Sequence, residues 1–532
     1  MNYLEKFLKT LLISFLLMPL LAQESEDEDE GLEVVVTTAT KTEKDILDTA
    51  QAVTALSGNQ LLELGLNNIK DLNNMIPGLY VQNTDTNAPI ITLRGIRTEN
   101  VTELGDPAVG IHVDGVYVAR PQAANALMFD LERTELTRGP QGTLYGRNSV
   151  VGTLNIVTAK PNFDIQGGSL NLVGGQLNEA GLRAHYNLPI NEKLALRFAY
   201  MEQSKDSFID GFWDGSQLDW RRLPSNVRDQ FQVITSPDQR SYLSDYAWYL
   251  GCSTQPGNGC GQGNFSDPYN KIAADPSEFY TAIKDSAWRI SATYVVDDNS
   301  DLNIQFENYE DNGKGWTNVL SCELMRTRTG FIAKDRPANT CTDILGSENR
   351  YQSYANTPGF NKMNIDSFRA IYKRQLNETT NLTVNYGYQE LEQSSQFEID
   401  GGVNYQYGMA FNINRLLTES NVLDAYITGA NEEWAWVGGI FTSTEDNDML
   451  ANFTAELNGH DFFWQPNREL NHYAVYGQAT YALRDDLFFT LGGRFSYDEK
   501  SDVGGRNINC NTGNGCYPQI YDTGGNPFDA IN

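Results

Sequence analysis

Leu487–Tyr497 reads Leu-Phe-Phe-Thr-Leu-Gly-Gly-Arg-Phe-Ser-Tyr, and its side chains sort by parity. Leu487, Phe489, Leu491, Phe495 and Tyr497 share one face; Thr490, Arg494 and Ser496 share the other. A period of two marks a β-strand with one apolar side. The same alternation runs through Leu194–Tyr200, Trp288–Val296 and Leu382–Tyr388. Working outward, eleven strands are expected near 167–174, 180–188, 193–204, 285–296, 301–310, 364–375, 381–392, 416–428, 433–443, 471–483 and 486–498. Their links alternate in length. Asn191–Glu192, Asp297–Ser300, Asn377–Thr380 and Arg484–Asp485 are tight turns, whereas 205–284, 311–363, 393–415, 444–470 and 499–532 are long. Short turns at one end and long loops at the other are the pattern of an outer-membrane barrel. Tyr200, Trp434, Tyr473, Tyr481 and Tyr497, near strand ends, fit interfacial girdles. A large soluble β-sandwich or propeller is the alternative.

The strand count is odd, although bacterial single-chain barrels have even numbers. The last residue, Asn532, lies in a polar stretch. The expectation is therefore an N-terminal fragment carrying about half of a barrel.

Composition agrees with this reading. A mean hydropathy of −0.44 with 11% aromatic residues excludes a helical membrane bundle but suits a barrel, whose strands average out as hydrophilic. The formal charge of −30 opposes nucleic-acid binding, which needs a basic surface. Lys6 and Lys9 precede the apolar run Leu11–Leu21, and Ala22 leads into a polar segment. Residues 1–22 read as a signal peptide, too short to span a bilayer. Residues 23–32 form an acidic leader expected to be disordered. Neighbouring cysteines pair as Cys252 with Cys260, Cys322 with Cys341, and Cys510 with Cys516. None has zinc-ligand spacing, so loop disulfides of an exported chain are preferred to free thiols, and no metal site is expected.

From Gly31 to Lys160 the texture is mixed, and residues 39–165 read as a small α/β unit. Helical pieces are expected at Asp45–Ala50, Gly58–Leu64 and Ile69–Met75, with strands at Val34–Thr37, Ile90–Arg94, Ala108–Val118, Arg133–Arg138 and Gly152–Thr158. A folded unit ahead of a wide barrel is a suitable plug for its lumen. The segments EVVVTTAT (33–40), IPGLYVQ (76–82), ITLRGIR (91–97), VGIHVDGVYVARP (109–121), ERTELTRGPQGTLYGR (132–147) and GTLNIVTAKP (152–161) resemble the plug domain of TonB-dependent outer-membrane receptors, in order and spacing. The resemblance extends to barrel strands at Tyr473–Tyr481 and Leu491–Lys500.

That resemblance implies a transmembrane antiparallel β-barrel of about 22 strands when complete, residues 166–532 supplying about half, with an N-terminal α/β plug in the lumen. It implies active import of a scarce nutrient across the outer membrane of a Gram-negative cell, most often a ferric siderophore, powered through TonB. Glu33, Val34, Val35, Val36, Thr37 and Thr38, a β-prone run just after the leader, are expected to be the TonB box, adding as a strand to that partner. The alternative is the plug's own first strand. Cargo is expected at apical plug loops carrying Asn83, Asp85, Asn87, Thr98, Glu99, Asn100, Arg120 and Gln122, with the long outer loops. Arg94, Glu132, Arg133, Glu135, Arg138 and Arg147 are expected to hold the plug in place through ion pairs. His112 and His185 read as plain strand residues.

No nucleophile motif, zinc motif or phosphate loop occurs, so no catalytic residue and no cofactor are expected. The expected partners are TonB, an external small ligand such as an iron chelate, and outer-membrane lipid. Uptake of a carbohydrate or cobalamin, a passive channel, and an enzyme embedded in a barrel are the other readings.

Overall fold

The computed structural model describes residues 36–37, 41, 44–45, 51–66, 68–83, 89–98, 105–214, 271–316, 352–355, 359–398, 409–455, 459–484 and 486–510. The N-terminal unit comprises β1 (Val36–Thr37), β2 (Lys44–Asp45), β3 (Ala52–Ser57), α1 (Gly58–Glu63), a 3-10 turn at Ile69–Asn74, β4 (Leu79–Asn83), β5 (Pro89–Leu93), β6 (Val109–Val113), β7 (Val116–Val118), a second 3-10 turn at Pro121–Leu127, β8 (Leu131–Arg138) and β9 (Gly152–Thr158). Ser57 and Gln60 close a reciprocal capping box at the start of α1, and Asn68 with Asp71 does the same for the first 3-10 turn. The strands form a five-stranded sheet in the order β3-β8-β9-β6-β7. The expected single strand Ala108–Val118 is broken into β6 and β7 because Asp114 (φ 51°) and Gly115 (φ 81°) make a left-handed hairpin turn. The expected helix at Asp45–Ala50 is corrected at its start, where Lys44–Asp45 pairs with Val36–Thr37 as a strand; residues 46–50 lie outside the described residues.

The larger sheet has 11 strands, in the order β10 (Gly167–Gly174), β11 (Ala180–Asn191), β12 (Leu194–Lys205), β15 (Ile283–Asp297), β16 (Ser300–Asp311), β18 (Phe360–Asn377), β19 (Thr380–Glu398), β20 (Met409–Ala430), β21 (Trp434–Ala455), β22 (Gly459–Arg484) and β23 (Leu487–Cys510). Every neighbouring pair is antiparallel. Three short strands, β13 (Asp210–Asp214), β14 (Lys271–Ala273) and β17 (Gln352–Ala355), form a separate sheet within two of the long connections. No helix among the described residues is long and apolar enough to cross a membrane.

Four of the tight turns share one chemistry. Asn191, Asp297, Asn377 and Asn431 each accept, through the side-chain oxygen, a backbone N–H two residues on. These Asx turns reverse the chain locally. The long-loop expectation fails at 393–415 and 444–470, where β19, β20, β21 and β22 run far beyond the expected ends; β23 likewise continues to Cys510.

The outward-facing rows explain why. Phe198, Ile290, Phe306, Phe368 and Tyr388 stand side by side across five strands. Two residues higher, the row reads Tyr200, Trp288, Asn308, Asp366, Glu390, Glu419, Asp446 and Glu469. From the turn at Asn377 to Asp366, strand rise and tilt give about 25 Å, the height of a barrel's lipid-facing band. Above that row the outward face is polar, as at Lys362, Asn364 and Glu392, so the apolar/polar alternation stops while the hydrogen-bond ladder continues. At the turn end, Trp434 stacks on Tyr481 with ring centroids 4.7 Å apart.

The N-terminal unit packs on the inner face of the large sheet. One apolar cluster joins Ile69, Leu72, Leu93, Ile111 and Ile156 of the first to Met201, Tyr309, Ile365, Leu391 and Leu416 of the second.

Candidate functional site

The segment that opens the N-terminal unit is tied down at two places. Thr37, almost fully buried, donates its hydroxyl to Glu135 Oε2 at 3.1 Å, and Glu135 Oε1 accepts from Arg133 at 2.7 Å. Arg133 also pairs with Glu132. Further along, Lys41 adopts a left-handed backbone (φ 60°) and sends its side chain into the wall. Its ammonium forms an ion pair with Asp424 on β20 and donates to the Tyr476 hydroxyl at 2.9 Å; Tyr476 donates to the other Asp424 oxygen at 2.7 Å. The Tyr426 and Tyr476 rings each lie 4.7 Å from Nζ. Burial lowers the Lys41 pKa below its usual range, and Asp424 opposes that.

Beside this cage lies His112, 3% exposed, in contact with the Tyr117 and Tyr145 rings. Burial, reinforced by Lys41 and Arg494, drives its pKa down to about 3, so it is neutral at pH 7. Arg494 of β23 lies over Gly146, whose φ is 80°; a Cβ there would come within 2.6 Å of the guanidinium.

The other side of the plug is held by wall cations. Arg197 grips both oxygens of Asp130, at 2.5 and 2.8 Å. Arg289 and Arg369 share the Glu307 carboxylate at 2.6 and 2.9 Å. Arg289 also donates to the carbonyls of Phe129 and Asp130 at 3.2 Å. Gln305 donates to Thr158 Oγ1 at 2.9 Å, and Thr158 donates to Asp114 at 2.7 Å.

The expected site residues are distributed as follows. Val36 and Thr37 form β1; Glu33, Val34, Val35 and Thr38 lie outside the described residues. Asn83 ends β4, Thr98 is half-buried, and Asp85, Asn87, Glu99 and Asn100 lie outside the described residues. Arg120 and Gln122 are buried rather than displayed on an apical loop: Arg120 forms an ion pair with Glu445 on β21. Among the plug arginines, Arg133 pairs with Glu132 and Glu135, and Arg147 pairs with Asp106 at 2.7 Å. Arg94 and Arg138 make no ion pair among the described residues, correcting that expectation. The left-handed turn at Arg94–Gly95 turns Arg94 out to solvent. His112 and His185 lie in β6 and β11. Of the cysteines only Cys510 falls in a described element, so the disulfide expectation lies outside the described residues.

Sequence reasoning missed Lys41, Asp424, Arg289, Glu307, Arg369 and Glu445. The available signal was a charged residue at an inward strand position, since a charge on the lumen face of a membrane barrel needs a partner.

Residues 45–153 match the family model described as TonB-dependent Receptor Plug Domain. The chain is 31% identical over 182 residues to the pesticin receptor of Yersinia pestis, covering 34% of this chain and 26% of that protein. It is 29% identical over 202 residues to the ferrioxamine B receptor of Salmonella typhimurium, covering 36% and 27% respectively. The aligned region thus spans about a quarter of these curated relatives. Among solved structures, the ferric yersiniabactin uptake receptor FyuA from Yersinia pestis aligns with a TM-score of 0.58 at 15% identity, over 86% of this chain and 61% of that one. The ferripyoverdine receptor of the outer membrane of Pseudomonas aeruginosa aligns with a TM-score of 0.61 at 15% identity, over 89% and 56%.

Proposed function

From a chain that carries the plug domain of the TonB-dependent receptors, followed by strands of their barrel fold, we propose TonB-dependent import of a ferric siderophore across the outer membrane of a Gram-negative cell. The carrying observation is the arrangement of the plug: a folded unit bound to the inner wall by the Lys41–Asp424, Arg120–Glu445 and Asp130–Arg197 ion pairs, with a strand-forming segment at its entry. Siderophore as cargo class is supported by the ferrioxamine B and ferripyoverdine receptors among the relatives. A sheet in lipid needs both edges paired, so the reading requires further strands joining β23 to β10.

In this reading Glu33–Thr38 adds as a strand to TonB. The β1–β2 pair and the Thr37–Glu135 bond represent the docked state of that segment. Tension from TonB has to break the Thr37–Glu135 bond and then the Lys41–Asp424 contact before it pulls along the chain on β3. The plug then rearranges and cargo passes; no bond of the cargo is made or broken, so no enzyme activity is proposed.

The test is Val35→Pro in the full-length receptor, compared with Val35→Ala. Proline removes a backbone donor and fixes φ near about −65°. Cargo binding is expected to persist while accumulation in cells stops; alanine should retain accumulation. Normal accumulation by the proline variant with TonB present sinks the box assignment. Growth of a deletion strain on different iron sources identifies the cargo, and growth unchanged on every iron source removes the iron reading.

A further inference from the structure

Two of the long connections leave the barrel side by side, one between β12 and β15 and the other between β16 and β18. They do not leave it independently. In the first, β13 pairs antiparallel with β14; β13 also pairs in parallel with β17 of the second, from Asp210↔Gln352 to Trp213↔Ala355. Phe279 and Tyr280 are completely buried, edge to face with centroids 5.4 Å apart. Each ring covers a glycine of a different connection. A Cβ on Gly211, in the first, would collide with the Phe279 ring; a Cβ on Gly359, in the second, would collide with the Tyr280 ring.

The backbone is stitched at the same level. Thr281, left-handed at φ 73°, donates its N–H to the Gly315 carbonyl at 2.7 Å, and Lys314 N–H returns a bond to Ala282 at 3.0 Å. Ser207 and Thr281 hydroxyls lie 3.0 Å apart. Lys314 pairs with Glu278 at 2.5 Å. Asp311, at the end of β16, accepts from Gly313 N–H at 2.7 Å and from Asn361 at 2.5 Å. Four strand ends therefore converge on one buried aromatic step.

We propose that the roots of these two connections form a single cooperative platform, so that loosening one releases the other and both shift as one body on the ends of β12, β15, β16 and β18. The physical reason is shared burial. Neither three-residue β14 nor four-residue β17 stands as a strand alone, and each is held through β13 and the Phe279–Tyr280 step.

Hydrogen exchange on the full chain in lipid nanodiscs tests this without any transport assay. Tyr280→Ala, in the first connection, should speed exchange at least tenfold at amides 352–355 of the second, leaving β20 and β21 unchanged. Faster exchange confined to 271–282, with 352–355 as in the parent, overturns the proposal. Should Tyr280→Ala disturb β20 and β21 as well, Gly359→Val decides from the opposite side. Faster exchange at 210–214 supports one platform, and parental exchange there overturns it.

Discussion

Asp424→Asn isolates what anchors the entry segment. The Lys41 side chain is 8% exposed and that of Asp424 3%, so solvent screens neither. Removing one partner of a buried ion pair costs about 3–5 kcal/mol, because the remaining charge stays uncompensated. The lower end applies here. The Tyr476 hydroxyl and two ring faces still meet the ammonium, and a lysine whose pKa is already lowered by burial sheds its proton readily. A loss of about 3 kcal/mol is about a hundredfold in the opening equilibrium. Amides of β1 and β2, which flank Lys41, should exchange up to about a hundredfold faster than in the parent at pH 7. The sign with pH also follows. A lysine with a lowered folded pKa binds fewer protons folded than unfolded, so stability rises with pH from that folded pKa up to the unfolded value of 10.5, and the variant's deficit shrinks toward high pH. Lys41→Met combined with Asp424→Leu removes both charges at similar volume and should lie within about 1 kcal/mol of the parent. Parental exchange in Asp424→Asn, or a double variant as loose as the single, would refute the view that the charge pair holds this segment.

Glu307→Ala leaves Arg289 and Arg369 facing each other without their shared carboxylate, and should lower stability by about 3–5 kcal/mol, read as a urea midpoint that falls with an unchanged slope. Gly146→Ala meets both a left-handed φ and the Arg494 guanidinium, and should destabilise by about 1–3 kcal/mol in the same titration; a neutral result removes the close approach. His112 has its pKa depressed from 6.5 to about 3, so stability is full above pH 6.5 and falls by about 1.4 kcal/mol per pH unit below it; His112→Gln should flatten that acid slope. A nitroxide at Phe306 should be shielded by lipid and one at Glu310 reached by aqueous quencher; equal accessibility overturns the membrane boundary. In intact cells carrying the full-length protein, single cysteines in 205–284 should be labelled from outside and one at Glu192 spared, and the reverse overturns the orientation.

Strand existence was readable where one side of the sheet faces lipid. Leu194–Tyr200 and Leu487–Tyr497 alternate because their neighbours alternate between hydrocarbon and lumen. The same logic set the errors. Past Asp366, Glu390, Glu419 and Asp446 the outward face meets water, and nothing in Asp446–Asp448 marks it as a strand beyond its ladder to β20 and β22. Within the plug, α1 was expected at Gly58–Leu64 and forms at Gly58–Glu63, whereas β3 was not expected. Ala52–Ser57 offers small and apolar residues without alternation, and its pairing to β8 joins residues some 80 positions apart.

The site divides along a related line. The plug's local chemistry was legible: Arg133 beside Glu132 and Glu135 in one strand needs no knowledge of the wall. The bonds that join plug to wall were not, because each partner looks ordinary in its own context. Arg120, read as a ligand contact, follows the apolar run Val116–Ala119 and meets Glu445 only when 325 residues of chain bring β21 past it. Lys41 follows a β-prone run and looks solvated until Asp424, Tyr426 and Tyr476 enclose it. Inward charges on the wall carry the information from the other direction. Arg197, Arg289, Arg369, Asp424 and Glu445 sit at lumen-facing positions of lipid-facing strands, where an unpartnered charge is costly. Such residues require a counter-charge inside the barrel, and here the counter-charges or polar partners are Asp130, the 129–130 carbonyls, Glu307, Lys41 and Arg120. Four of those five partners belong to the N-terminal unit. The wall's charge pattern is therefore a template of the plug that fills it.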